Sequence, residues 1–150
     1  MNLFYLDEDL DRCAEYHVDK HIVKMPLEAA QILSTALWVD QHLGFIPRAL
    51  EKSERDYINT IKKEIQHLPQ EARPISPYLP MMYNHPCTIW ARESLDNHEW
   101  VHCYANALND EYYYRYGKLH KSIEQVVNKL PDPVHLERVG FTKFGLAIPE

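Results

Sequence analysis

The sequence predicts a mainly α protein: a single compact helical domain with a long proline-rich loop and at most a short strand pair. Three observations carry this. Apolar residues recur near a 3.6-residue period over residues 19–42, 47–67 and 86–116, which is the signature of helices with one buried face. Five prolines crowd into residues 68–86, where no regular element can run. At 150 residues, with 45% apolar content and only 4 glycines, the chain suits one domain able to bury roughly 70% of its unfolded surface. The predicted domain spans 1–130, and residues 131–150 read as a C-terminal tail.

Taken in order, residues 2–6, NLFYL, suit a short strand or an extended lead-in. Asp7 or Asp9 can cap a short first helix that turns Leu10, Cys13 and Ala14 inward. The next helix, about Asp19 to His42, has an inward row of Ile22, Pro26, Ala29, Leu33, Ala36 and Leu37. Pro26 kinks it or opens a second helix at that point. Residues 47–67 form an amphipathic helix with Leu50, Tyr57, Ile58, Ile61 and Ile65 inward and Pro47 near its start. The proline-rich stretch follows, and connections of this length often lie over a site. Pro86 to Tyr116 is helical again, with Asn84 or His85 as its cap, Ser94 as a divide and Gly117 as its stop. His120 to Leu130 is a last helix closed by Pro131-Asp132-Pro133.

Composition narrows the function. No run approaches the ~20 apolar residues of a membrane span. The acidic start, MNLFYLDEDLDRC, is unlike the basic lead of an export signal. Cys13, Cys87 and Cys103 have no CxxC spacing and read as reduced thiols, so the expected location is the cytoplasm. The formal net charge of −6 argues against indiscriminate adhesion to nucleic acid, whose affinity comes from phosphate contacts. The charge is unevenly placed, however. Residues 1–15 hold five acids and one base, whereas 112–121 hold three bases and no acid. A DNA-facing side is compatible with that asymmetry.

Three constellations could carry chemistry. His17, His21, Lys24, Glu28, Gln31 and Thr35 follow spacings of four and three and fall on one helical stripe. That row suits a solvated face with ordinary i,i+4 pairs. Equally, a carboxylate among lysine and histidines can act as general acid or base once burial shifts its pKa. The second constellation is His98-Glu99-Trp100-Val101-His102, which matches the HExxH pattern of zinc hydrolases. His17/His21 together with His98/His102 could hold a divalent metal such as zinc. The wheel, however, puts Trp100, Val101, Tyr104, Leu108 and Tyr112 on the core side and both histidines on the polar side. Third, YYYRYGKLHK at 112–121 interleaves tyrosines with Arg115, Lys118, His120 and Lys121, the surfaces a single-stranded or displaced nucleotide needs. Tyr113 and Tyr114 are its freer rings. In YNHPCTIWARES, Asn84 and His85 precede a proline-started helix that could receive an anion, with Arg92 on the same helix.

MNLFYLDED, YHVDKHIVKM, NHPCTIWARES and YYYRYGKLHKS together resemble a family of small tailed-phage proteins without an assigned role. More loosely, the layout is similar to pyrimidine-dimer DNA glycosylases of the endonuclease V type. This second resemblance implies a small α protein in the cytoplasm of an infected bacterial host, acting on DNA without a cofactor. It implies an amine nucleophile at the α-amine of Met1, since Asn2 disfavours removal of that methionine. It implies Glu28 as the acid–base group, with His17, His21 and Lys24 around it and Lys20 or Lys24 as substitute amines. Lys20, Asn84, His85, Arg92, Tyr113, Arg115, Lys118, His120 and Lys121 would then contact DNA or a nucleotide. Two other classes fit the residues: a metal-dependent hydrolase or nuclease, and a non-enzymatic binder that sequesters a nucleotide or blocks a host protein.

Overall fold

The computed structural model describes residues 9–143. These form six α-helices and two single-turn 3-10 segments, with no strand among the described residues. The expected strand at 2–6 lies outside them.

Helix α1, Leu10–Glu15, starts at Asp9, whose Oδ1 accepts from the N–H groups of Asp11 at 2.9 Å and Arg12 at 3.1 Å. Helix α2, Asp19–Leu43, is the axis of the molecule. Pro26 sits inside it without ending it, and Gly44, at φ +88°, closes it. From Ile32 to Asp40 every residue of α2 is buried, as expected of a helix surrounded on all sides. Ala29, Ala30 and Ala36 are among the fully enclosed positions, and their small side chains let neighbouring helices approach.

Helix α3, Lys52–Ile65, begins five residues later than Pro47 suggests. Its start is set instead by Glu54, whose carboxylate accepts from Glu51 N–H at 2.8 Å and pairs with both terminal nitrogens of Arg48. Ile58, Ile61 and Ile65 define its inner stripe. Tyr57, expected inward, lies off that stripe and is 53% exposed.

The proline-rich connection has one 3-10 turn, Gln70–Ala72, yet it is fixed along its length. Ser34 Oγ and Ser76 Oγ share a 2.7 Å hydrogen bond, Thr35 Oγ1 meets the backbone of Met81, and Tyr78 OH meets Ser122 Oγ.

Helix α4, Pro86–Glu93, carries proline in its first turn, where a missing N–H costs nothing. Ser94 breaks the chain as the sequence indicates, by capping α5, Leu95–Tyr116, through Asn97 N–H. Gly117, at φ +72°, ends α5. Helix α6, Lys121–Gln125, and a 3-10 turn at Val127–Lys129 complete the set. The main core joins Ile22, Met25 and Leu33 of α2 to Trp90 of α4, Val101, Tyr104 and Leu108 of α5, and Ile123. A second cluster gathers Trp38, Val39, Leu50, Ile58 and Tyr83.

Residues 131–143 have no regular structure but are docked. Asp40, fully buried, accepts from Val134 N–H at 2.6 Å and His135 N–H at 2.9 Å. Arg138 pairs with Asp96 and Glu99, and Asn97 exchanges hydrogen bonds with Thr142.

Candidate active site

The titratable stripe is divided by burial. His17, Glu28 and Thr35 are buried, His21 and Gln31 are half-buried, and Lys20 and Lys24 are exposed. Glu28 is 8% exposed on α2, the helix against which α4 packs. At the start of α4, His85 Nδ1 accepts from Cys87 N–H at 3.1 Å and so caps the helix. Burial lowers the His85 pKa, and the negative charge of Glu28 pulls it the other way. The carboxylate on the early helix and the imidazole of the Asn84-His85-Pro86 turn therefore act on one another.

His17 has a settled role. Its Nδ1–H donates to Cys13 O at 2.6 Å, and its Nε2 then accepts from Tyr104 OH at 2.8 Å. Burial is the main cause of its lowered pKa, outweighing the bond to Cys13; His21 and Arg115 add to the lowering. A neutral ring held by both nitrogens orients Tyr104 and is not free to collect a substrate proton. The His21 ring stands edge-on to His17 at 6.4 Å, and Trp100 lies 5.1 Å from Tyr104 on the other side. Tyr104 and Trp100 read in the sequence only as core positions. Their place beside the stripe comes from α5 crossing α2, for which no local signal exists.

Several expected ligand contacts have structural work instead. Arg92 is fully buried; its guanidinium donates to Ile46 O, Tyr83 O and Arg48 O at 3.0, 2.6 and 2.6 Å. Burial pushes it down to about 10. It ties the connection at 44–51, through Ile46 and Arg48, to the proline-rich connection at Tyr83. Asn84 clamps Leu50 by accepting from its N–H and donating to its carbonyl. Arg115 is held by Asp19, Glu111 and the Glu15 carbonyl. His120 caps α6 through Nδ1 and donates from Nε2 to Val23 O at 2.8 Å. Tyr113, Tyr114, Lys118 and Lys121 are exposed. Met1 lies outside the described residues.

The HExxH segment differs from its wheel. His98 is buried, 5% exposed, on a side of α5 that lines a cavity with residues 130–133. His102 is half-buried, and Glu99 is exposed and paired with Arg138 at 2.6 Å. Among the described residues, no three His, Cys, Asp or Glu side chains are grouped to hold a metal ion. The two histidine pairs face different neighbours: His17 meets Tyr104, whereas His98 lies in the fields of Asp40, Glu99 and Asp132.

The fold is that of a small helical protein with a glutamate buried on an early helix, in the field of the histidine that caps α4. The pyrimidine dimer DNA glycosylase family matches residues 1–125, and the chain belongs to that family. No curated protein and no solved structure matches it. Membership implies DNA as the partner. Among the described residues, no helix is long and apolar enough to cross a membrane.

Proposed function

We propose that the protein is a DNA glycosylase and lyase acting on damaged or modified pyrimidines in duplex DNA, with Glu28 as its acid–base group. The observation that supports this most directly is the burial of Glu28 on α2 within the field of His85. A carboxylate so placed is shielded from bulk water, the setting in which a side chain serves as general acid or base.

The resemblance supplies the nucleophile, the α-amine of Met1. Attack of the amine nitrogen on C1′ breaks the bond to the base, which leaves with the bonding pair and takes up a proton. Ring opening gives an imine. Removal of a C2′ proton then expels the 3′ phosphate and nicks the strand. Glu28 is the group that moves protons in these steps.

DNA is held from one side. His120 donates to Val23 O, which ties the segment between α5 and α6 to α2. The exposed Lys20 and Lys24 of α2 and the exposed Lys118 and Lys121 of that segment are the cations that would meet phosphates in a chain of net charge −6. Tyr113 and Tyr114 add exposed rings nearby in sequence.

The test uses ultraviolet-irradiated and untreated duplexes, with borohydride present or absent. Damage-dependent nicking and a trapped protein–DNA adduct are expected. Glu28→Gln should slow nicking by about 10²–10⁴-fold while leaving DNA binding in place. Neither nick nor adduct from the wild-type protein would overturn the reading.

A further inference from the structure

Met82 is one of two non-glycine residues with positive φ among the described residues, at +52°. Its side chain is 50% exposed. A left-handed backbone is unfavourable for a residue with a Cβ and natural for glycine. Here the neighbours impose it. Met81 N–H donates to Thr35 Oγ1 at 3.1 Å, and Met81 O accepts from the same hydroxyl at 3.2 Å. Tyr83 is buried, with its OH on Asn59 and its carbonyl on Arg92. Asn84 is clamped to Leu50, and His85 N–H closes the turn on Met82 O at 3.1 Å. The turn is thus fixed on both sides of Met82, and the methionine side chain is left reaching into solvent. Half-exposed as it is, the side chain contributes little to the core. A strained residue retained without a packing reason points to a use.

Its position suggests which use. The turn that Met82 begins ends at His85, the residue in the field of Glu28. Chemistry at C1′ of a paired nucleotide requires that nucleotide, or its partner across the duplex, to leave the stack. The gap left behind must be filled, and unbranched apolar side chains such as methionine serve as wedges between base steps.

We propose that Met82 is a positioning residue that enters the base stack of the duplex and holds open the space vacated by the extruded nucleotide. This rests on the glycosylase reading above. The backbone strain keeps the side chain projecting, and the anchored turn spares it any ordering cost on binding.

Met82→Gly separates the possibilities, because glycine accepts the turn geometry while removing the wedge. The variant should melt at or above the wild-type Tm. Its nicking of an irradiated duplex should fall by about tenfold or more, as loss of help with unstacking implies. Nicking of a single strand carrying an abasic site, where there is no duplex stack to open, should stay at the wild-type rate. Fluorescence of 2-aminopurine opposite the lesion should rise with wild-type protein and not with the variant. Met82→Leu should retain most of the activity. Equal activity of Met82→Gly on irradiated duplex, equal loss on both substrates, or a lowered Tm would each overturn the wedge while leaving the glycosylase reading intact. Wild-type protein inert on both substrates would overturn the two together.

Discussion

Acid is the sharpest probe of the packing around α5. His98 is buried beside residues 130–133, and its Nδ1 has no hydrogen-bond partner among the described residues. Burial, with a smaller contribution from His102, pushes its pKa from 6.5 to about 4; Asp40, Glu99 and Asp132 oppose this without prevailing. The sign follows from where the proton goes. The unfolded chain takes one up near pH 6.5, and the folded chain refuses it until about pH 4. The neutral ring therefore favours folding in full above 6.5, and that contribution is lost as pH falls from 6.5 towards 4. A gap of about 2.5 pH units, at ~1.4 kcal/mol each, amounts to about 3 kcal/mol. Urea unfolding from neutral pH down to about pH 4.5 measures it. His17, His42, His85 and His120 are shifted the same way, so the wild-type slope alone is not diagnostic. His98→Leu should flatten the dependence by roughly 2–3 kcal/mol over that range. At neutral pH it should cost little, since it also removes a buried unpaired nitrogen. Parallel stability curves for the two proteins, or a His98 ring that titrates near its ordinary value by NMR, would refute the reasoning.

Other consequences can be checked in the same melts. Arg92→Ala leaves three carbonyls, one of them in a buried bond, without their guanidinium donor and should cost about 3 kcal/mol, seen as a Tm lower by roughly 6–12 °C. A phosphate-binding role would leave Tm unchanged and weaken DNA binding instead. Asp40→Ala removes two charge-assisted hydrogen bonds, about 3 kcal/mol in all, and should open residues 131–143 to limited proteolysis before the rest of the chain. Tyr104→Phe leaves His17 Nε2 without its hydroxyl donor and should cost about 1–3 kcal/mol by urea midpoint.

What the sequence conveys here is what repeats locally. The 3.6-residue period placed α2 to within a residue of its observed end, and Ser94 and Gly117 marked breaks because capping is chemistry within a few residues. The burial of Glu28 is half-legible too, since the stripe it belongs to borders an apolar row. Arg92, Asn84 and Asp40 are another matter. Their partners are backbone groups 9 to 95 residues away, and a backbone carbonyl has the same identity at every position. Side-chain type could therefore suggest a phosphate contact for Arg92 but not the two connections it ties. His98 shows the complementary failure. A wheel sorts residues by polarity, and it cannot know that an aperiodic segment such as 130–133 folds back over the polar side.

The bonds that hold the proline-rich connection join residues far apart in the chain, from Ser34 to Ser76, Thr35 to Met81, Leu50 to Asn84 and Tyr78 to Ser122. None of them can form until helices distant in sequence have met, and closing such large loops slows assembly. The turn bearing Met82 and His85 should accordingly be among the last parts to set. Backbone amides there should gain protection from solvent exchange after those of α2 and α5, so this turn would be completed only once the scaffold beneath it is sound.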